Sequence, residues 1–555
     1  MNDSDLIKTA SLENPFYYLE NAQTIWRWVL QHHRDCLSHE EVVNLQAIIS
    51  LPKEAKALLV RLNMRKGELF CLSDLNYTEI RALETATTLL SEAKLIEIDP
   101  HVSFDEATNK LNKDFLWAYC QTRLTNAPKK NTRKAELVVL LKQLTQSDRL
   151  QRFSDWGDNR TWLKLTDRSF FKRIQLMFFG NLHQDWSEFI ITELGLIHYE
   201  AISYSATLRA FKSREDITNY LQLDSVLDQL ELTSTESTLT LDDSLLSTNP
   251  SRWLEAKRKN VCFRAAQTLE KRGQFTQAMK AYKSIGSNEA NIRLLRIMEK
   301  QCHPKNTIAL AEDLLNVTVH GETRTLIYRI LKRQYKKVGG ATLSLPSIIH
   351  ITEKEITFSN APQSVEKAVA TFLTETNSPV YYIENRLIPA LWGLLYWEAI
   401  YAPIKGAFFH PFQAAPADLY SQDFLAVRKH YVDSLESSLN EDTYKQVILE
   451  NYHAKHGLRC PFVYWPVLSV EMIEQALDSI SKEQIKGIFK YLEQDLRQHK
   501  KGLPDLIQFN LVTNTTAFIE VKAPNDRLQI QQQLWLEQLI KLGFDCCVAK
   551  VRWLS

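Results

Sequence analysis

Asp505, Glu520 and Lys522 have the types and spacing of a phosphate-cutting site. Asp505 closes the Pro-preceded turn Gly502-Leu503-Pro504-Asp505 and leads into an apolar stretch, Leu506 to Leu511. Fifteen residues later comes Phe518-Ile519-Glu520-Val521-Lys522. Residues two apart on a strand leave the same face, so Glu520 and Lys522 point together. An adjacent strand can set Asp505 beside them. The two carboxylates and the Val521 carbonyl then offer oxygen ligands to a hard divalent cation, Mg2+ or Mn2+. Lys522 can orient or activate a water for attack on phosphorus and steady the developing charge. A Glu-x-Lys triplet alone would equally suit an exposed, salt-bridged hairpin edge. The order of elements around it favours the site.

After this second strand, Asn525-Asp526 are good helix caps, and the helix they predict ends at Gly543. Leu536, Leu539, Ile540 and Leu542 suit its core face, while Gln531, Gln532 and Gln533 sit where one amide can reach the site. A last strand, Cys546 to Val551, completes an αβββαβ-like order. Together these make the PD-(D/E)xK nuclease pattern, a restriction-endonuclease-like α/β domain.

Gly502-Leu503-Pro504-Asp505 and Phe518 to Leu528, followed by Gln532 and Trp535, resemble the VRR-NUC domain of the Fanconi anaemia-associated nuclease family. Pro411-Phe412-Gln413, Pro416 to Ser421, Phe424 and Arg428 resemble that family's approach to its catalytic core, and the resemblance runs through the whole chain. It implies a bacterial-type, structure-selective DNA nuclease that cuts 5′ flaps, trims 5′→3′ and serves interstrand cross-link repair. The implied metal ligands are Asp505, Glu520, the Val521 carbonyl and an upstream glutamate, with Lys522 in the catalytic lysine's place. Glu384 in Tyr381-Tyr382-Ile383-Glu384 matches that glutamate best. It lies in the turn before an aromatic helix, Leu391 to Tyr401, and Glu398 is its competitor, in a run of aromatics that suggests burial. Arg497 matches a substrate-contacting arginine, in a segment ending Arg497-Gln498-His499-Lys500-Lys501 whose nearness to Asp505 favours phosphate contact for Lys500 and Lys501. Arg527 and Gln532 are further candidates on the DNA side. Animal members carry a lysine where this chain has Gln531. A restriction-type or junction-cutting nuclease shares the same core, and a non-catalytic DNA-binding scaffold is the rival outside enzymes.

The rest of the chain must hold and present this domain. At 555 residues it should form roughly three or four domains. With 15 Gly and 17 Pro, a mostly α, multidomain protein is expected. Net charge is only +1, so any DNA surface must be local. Residues 123–173 hold 13 Lys/Arg against 5 Asp/Glu, residues 185–250 hold 3 against 12, and residues 251–300 hold 12 against 4. The two basic blocks read either as phosphate-contacting surfaces or as solvated helix faces, and composition does not choose. Arg133 and Lys134 open a short helix that resembles a SAP-type DNA-binding helix pair. Lys257, Arg258 and Lys259 lead the second block. Residues 264–285 resemble a tetratricopeptide helix pair, with Ala266, Gly273, Ala278 and Tyr282 at packing positions. The expected division is a helical region 1–115, a SAP-like basic region 116–224, a tetratricopeptide-like region 225–335 and the nuclease 336–555. The acidic, Ser/Thr-rich stretch 232–238 reads as a boundary.

The longest apolar run, Leu387 to Trp397, is too short to cross a membrane. His453, His456 and Cys460 lack a fourth ligand at a familiar zinc spacing, so no zinc is expected. The acidic start and eight scattered cysteines suggest a cytoplasmic, nucleoid-associated protein.

Overall fold

The computed structural model describes residues 14–124, 126–144, 150–184, 198–232, 243–318, 321–339 and 349–553. The chain divides into two compact units, residues 1–196 and 197–555. Helix dominates both, as the scarcity of Gly and Pro implies.

In the first unit, helices Tyr17–His32, His39–Ser50 and Lys53–Met64 follow the apolar periodicity: Ile25, Trp28, Val29, Leu58, Leu59 and Leu62 are buried. Ser38 and Glu41 form a reciprocal capping box on the second helix, and Pro52 stands just before the third without a side-chain cap. Strands β1 (Leu69–Cys71), β2 (Ile96–Ile98) and β3 (Trp162–Leu165) pair antiparallel with β3 in the middle. Helices Lys113–Arg123 and Lys134–Leu144 contribute Leu116, Cys120, Leu137 and Leu141 to one core. Arg133 at that turn is exposed, whereas Lys134 donates to the Asn109 carbonyl at 3.1 Å.

The second unit carries the helical repeats Arg252–Lys271, Phe275–Ile285, Asn288–Gln301, Pro304–Val317 and Gly321–Lys337. Ala266, Ala278 and Tyr282 are fully buried between them. Gly273 turns the chain between the first two helices at φ +76°, where a side chain would strain the backbone. The proposed boundary at 232–238 falls, from residue 233 on, outside the described residues. Two of the three residues that lead the second basic block do not stand free for phosphate. Lys257 is paired with Asp224, and Arg258 is 2% exposed, bonded to Glu255 and to the carbonyls of Leu245 and Ser284. Only Lys259 of the three is well exposed. Lys257 and Arg258 point inward because this helix buries one face against its neighbours, whereas Arg264, Lys271, Lys280, Lys283, Arg296 and Lys300 of the same block are exposed.

Five strands form the C-terminal sheet: β4 (Thr352–Phe358), β5 (Val380–Tyr382), β6 (Leu506–Asn510), β7 (Thr515–Lys522) and β8 (Asp545–Trp553), in the order β4-β8-β7-β6-β5. The β5–β6 and β6–β7 pairs are antiparallel, whereas β7–β8 and β4–β8 are parallel. Helix Val365–Leu373, β5, β6, β7, helix Ile530–Lys541 and β8 give the αβββαβ order, with β4 added at one edge. A long, mostly helical insertion separates β5 from β6. Its Leu387–Leu395 helix is buried on every side, and the short Trp397–Ile400 helix continues it. Arg428, also buried, makes two 2.9 Å bonds to Asp418 and donates to the Ala399 carbonyl. The Pro416–Arg428 motif therefore anchors the insertion.

Breaking a buried ion pair leaves an unpaired charge, which costs about 3–5 kcal/mol, against about 0–1 kcal/mol for an exposed pair. Urea unfolding should therefore show a strong loss of stability for Arg258→Ala and little change for Lys259→Ala. Equal shifts would mean that Arg258 is not the internal anchor its burial indicates.

Candidate active site

Asp505 is held from two sides. Its carbonyl accepts the N–H groups of Ile383 (2.8 Å) and Glu384 (3.2 Å), extending the β5–β6 pairing, and its Oδ2 accepts the Val521 N–H at 2.9 Å. The turn before it is pinned by Asn385, whose Oδ1 accepts the Leu503 N–H. Gly502 lies so close to the helix bearing Gln531 that a Cβ would meet Gln531 Cβ at 2.9 Å. A glycine there lets the turn and the helix touch.

On β7, Glu520 and Lys522 leave one face as the alternation requires, and Lys522 Nζ stands 2.8 Å from Glu520 Oε1. Gln532 bridges them: its Nε2 donates to Glu520 Oε1 at 2.5 Å, and its Oε1 accepts from Lys522 Nζ at 3.1 Å. Gln532 is thus the amide that reaches the site, engaged with the site's own side chains. Its helix starts at Ile530 with Gln529 as N-cap, not at Asn525-Asp526 as expected. Asn525 instead takes φ +73° in the intervening turn. Val521, between the two, shows its N–H to Asp505. A strand residue directs its N–H and C=O to the same edge, so the Val521 carbonyl faces that way too.

The electrostatics match an anionic, half-dry cleft. Burial raises the Asp505 carboxyl to about 6, against the lowering effects of the Val521 N–H and Lys522, and Glu366 and Glu384 push it further up. Burial, then the Asp505 charge, raises Glu520 to about 7. Glu366 is new to the site: it stands in the first turn of the Val365–Leu373 helix. That helix, ahead of β5, is the first helix of the core. Glu384 lies in the turn after β5 and accepts the Tyr382 hydroxyl. Glu398, expected to be buried, has a side chain 70% exposed and pairs with Lys455. It is the solvent-facing position of an otherwise buried helix.

Arg497 is exposed and stacks on Tyr420 at 4.9 Å, and Lys500 donates to the Tyr420 hydroxyl. Lys501 and Arg527 are exposed. Gln531 donates to Glu322 of the helical repeats at 3.0 Å.

Two family models match the chain, the VRR-NUC domain over residues 439–553 and the FAN1, HTH domain over residues 16–97. The Fanconi-associated nuclease 1 homolog of Pseudomonas aeruginosa is 35% identical over 553 residues, 99% of this chain and 98% of that protein. The chain belongs to the Fanconi-associated nuclease 1 family. The family's homolog from Oryza sativa subsp. japonica is 22% identical over 612 residues, covering 96% of this chain and 62% of that protein. A crystal structure of paFAN1 bound to 2nt 5′-flap DNA with gap matches with a TM-score of 0.81 and 34% identity, over 98% of this chain and 100% of that one. As a member, this chain is a metal-dependent nuclease. The helix-turn-helix match covers a region the sequence gave only as helical, where the Leu51-Pro52 break between two helices was the available signal.

The residues present fit a hard cation. The donors are all oxygens, and Glu520 Oε2 is buried without a hydrogen-bond partner. Among the described residues no three His, Cys, Asp or Glu side chains already converge as a cage. Glu384 is turned to Tyr382, and one Glu520 oxygen is taken by Lys522 and Gln532.

Removing the Gln532 amide frees both Glu520 and Lys522. A bond to a charged group is worth about 1.5–3 kcal/mol, so Gln532→Leu should slow cleavage roughly ten- to hundredfold at saturating cation. Its unfolding midpoint should fall only slightly, because Gln532 also accepts the Gln529 N–H at the start of its helix. An unchanged rate would mean that the amide does not position the pair.

Proposed function

We propose that this chain is a structure-selective DNA nuclease that cuts 5′ flaps, trims 5′→3′ and acts in repair of interstrand cross-links. The single observation carrying the site assignment is the buried Glu520 carboxylate, with one oxygen unpartnered, set against Asp505 and Lys522. The flap substrate is supported by the likeness to paFAN1 bound to 5′-flap DNA.

Asp505, Glu520, the Val521 carbonyl and Glu384 would hold Mg2+ or Mn2+, with Glu366 as a further carboxylate. Bound there, the cation supplies Lewis-acid activation of the phosphate and of the attacking water. Lys522, fixed between Glu520 and Gln532, orients the water and donates to the phosphate oxygens. Water adds to phosphorus, the P–O3′ bond breaks, and the products carry a 5′-phosphate and a 3′-hydroxyl. Arg497, Lys500, Lys501 and Arg527 meet phosphates beside the cut, while Gln532 braces the site. Arg133 and Lys134 contact phosphates, Arg133 with more freedom because Lys134 already bonds the Asn109 carbonyl. Among the described residues no helix is long and apolar enough to cross a membrane, and work on DNA would associate the protein with the nucleoid.

Asp505→Ala and Lys522→Ala should each lower flap cleavage by roughly a hundredfold or more, while flap affinity in gel shift changes little. Near wild-type cutting by either variant would sink the assignment. Glu384→Ala should raise the Mn2+ concentration needed for half-maximal cleavage. Glu398→Ala, at an exposed ion pair, should leave both metal demand and stability alone. The reverse pattern would move the upstream ligand to Glu398.

A further inference from the structure

An unused aromatic surface is linked to the turn that carries Glu384. Tyr464 is 50% exposed, and the Arg386 guanidinium lies over its ring, 4.1 Å from the centroid. Arg386 follows Glu384 by two residues, and the Glu384 N–H is bonded to the Asp505 carbonyl. Two Cα steps span at most about 7 Å, so the Arg386 backbone starts close to Glu384, and its side chain carries the guanidinium out to Tyr464. Among the described residues Arg386 has no carboxylate partner, and the Tyr464 hydroxyl has no hydrogen-bond partner.

The ring is exposed although its loop is tightly held. Phe462 and Val463 are buried, and the Phe462 ring packs on Trp392 at 4.6 Å. A Cβ at Gly393 would come within 2.7 Å of Phe462 Cβ, so the loop lies directly on the Leu387–Leu395 helix. Trp465 Nε1 donates to the Leu458 carbonyl at 2.7 Å, and its ring packs on Tyr452 and His456. Between these anchors Tyr464 alone turns outward. An aromatic face fixed in water beside an unpaired guanidinium is the arrangement on which a nucleic-acid base stacks. The N–H edge of the stacked arginine stays free for a phosphate.

In continuous duplex each base is already stacked on its neighbours, whereas the base at a flap junction has a free face. We infer that Tyr464, backed by Arg386, is the stacking platform for the unpaired base next to the phosphate being cut. The pair thereby favours a flap over continuous duplex. This rests on the flap-nuclease reading above.

The test is a cycle between the side chain and the base. The full-length protein is assayed for kcat/KM on a 5′-flap DNA and on the same flap with an abasic residue at the junction. Tyr464→Ala should cut the intact flap about tenfold less efficiently, with Tyr464→Phe close to wild type. The abasic flap should cost the wild type a similar factor and Tyr464→Ala little more. Because the ring is exposed, the unfolding midpoint of Tyr464→Ala should match wild type. Unchanged cutting of the intact flap by Tyr464→Ala would overturn the inference, as would the same loss on both flaps. A wild type that cuts neither flap would overturn the flap-nuclease reading instead.

Discussion

The peptide and side chain of Asp505 join three strands at one point. Its carbonyl completes the β5–β6 pairing, and its carboxylate takes the Val521 N–H from β7. Since β6 and β7 run antiparallel with Leu506 opposite Ile519, Glu520 lands beside Asp505. A one-residue slip would turn Glu520 and Lys522 to the opposite face. Register is therefore what makes the site, and burial of the alternate residues Ile519 and Val521 on the other face fixes the register. Two carboxylates so placed repel one another in a poorly hydrated cleft. Lys522 offsets part of that repulsion, and a cation held between them would relieve the rest.

The helices around the sheet supply rigidity. The buried Arg428–Asp418 pair and the close seating of Phe462 on Gly393 hold the insertion in one conformation. Adjacent glutamines on one helix face different partners: Gln531 reaches Glu322 of the helical repeats, and Gln532 holds Glu520 and Lys522. The repeats and the cleavage site thus share a single turn of helix, and Gly502 lets the Asp505 turn close upon it.

Asp505, Glu520 and Lys522 were legible because strand alternation and a short hairpin are local rules. Glu384 needed the family resemblance, since nothing in its neighbourhood says that β5 will pair with β6 across a long insertion. Glu366 was missed for the same reason: its helix meets the site only through the folded sheet. Glu398 was misjudged because an aromatic run was taken to bury every residue in it, while the helix leaves that one position to solvent. Charge counting failed at Lys257 and Arg258 because sums ignore partners, and Asp224 and Glu255 neutralise them within the unit. The start of the Ile530–Lys541 helix was placed early because Asn525 and Asp526 are as good in turns as at caps.

The strand order has a bearing on biosynthesis. β8 pairs in parallel with both β4 and β7, and β4 pairs with nothing else in the sheet. The partner of residues 352–358 is residues 547–553, so the nascent chain carries β4 as an unpaired edge while the whole helical insertion emerges from the ribosome. Asp505, Glu520 and the helix holding Gln532 all follow that insertion in the chain. The sheet that carries these side chains therefore closes only once residues 545–553 have been made. A chain cut short before β8 would lack the strand that joins β4 to β7, and the sheet bearing Asp505 and Glu520 would be left open at its centre.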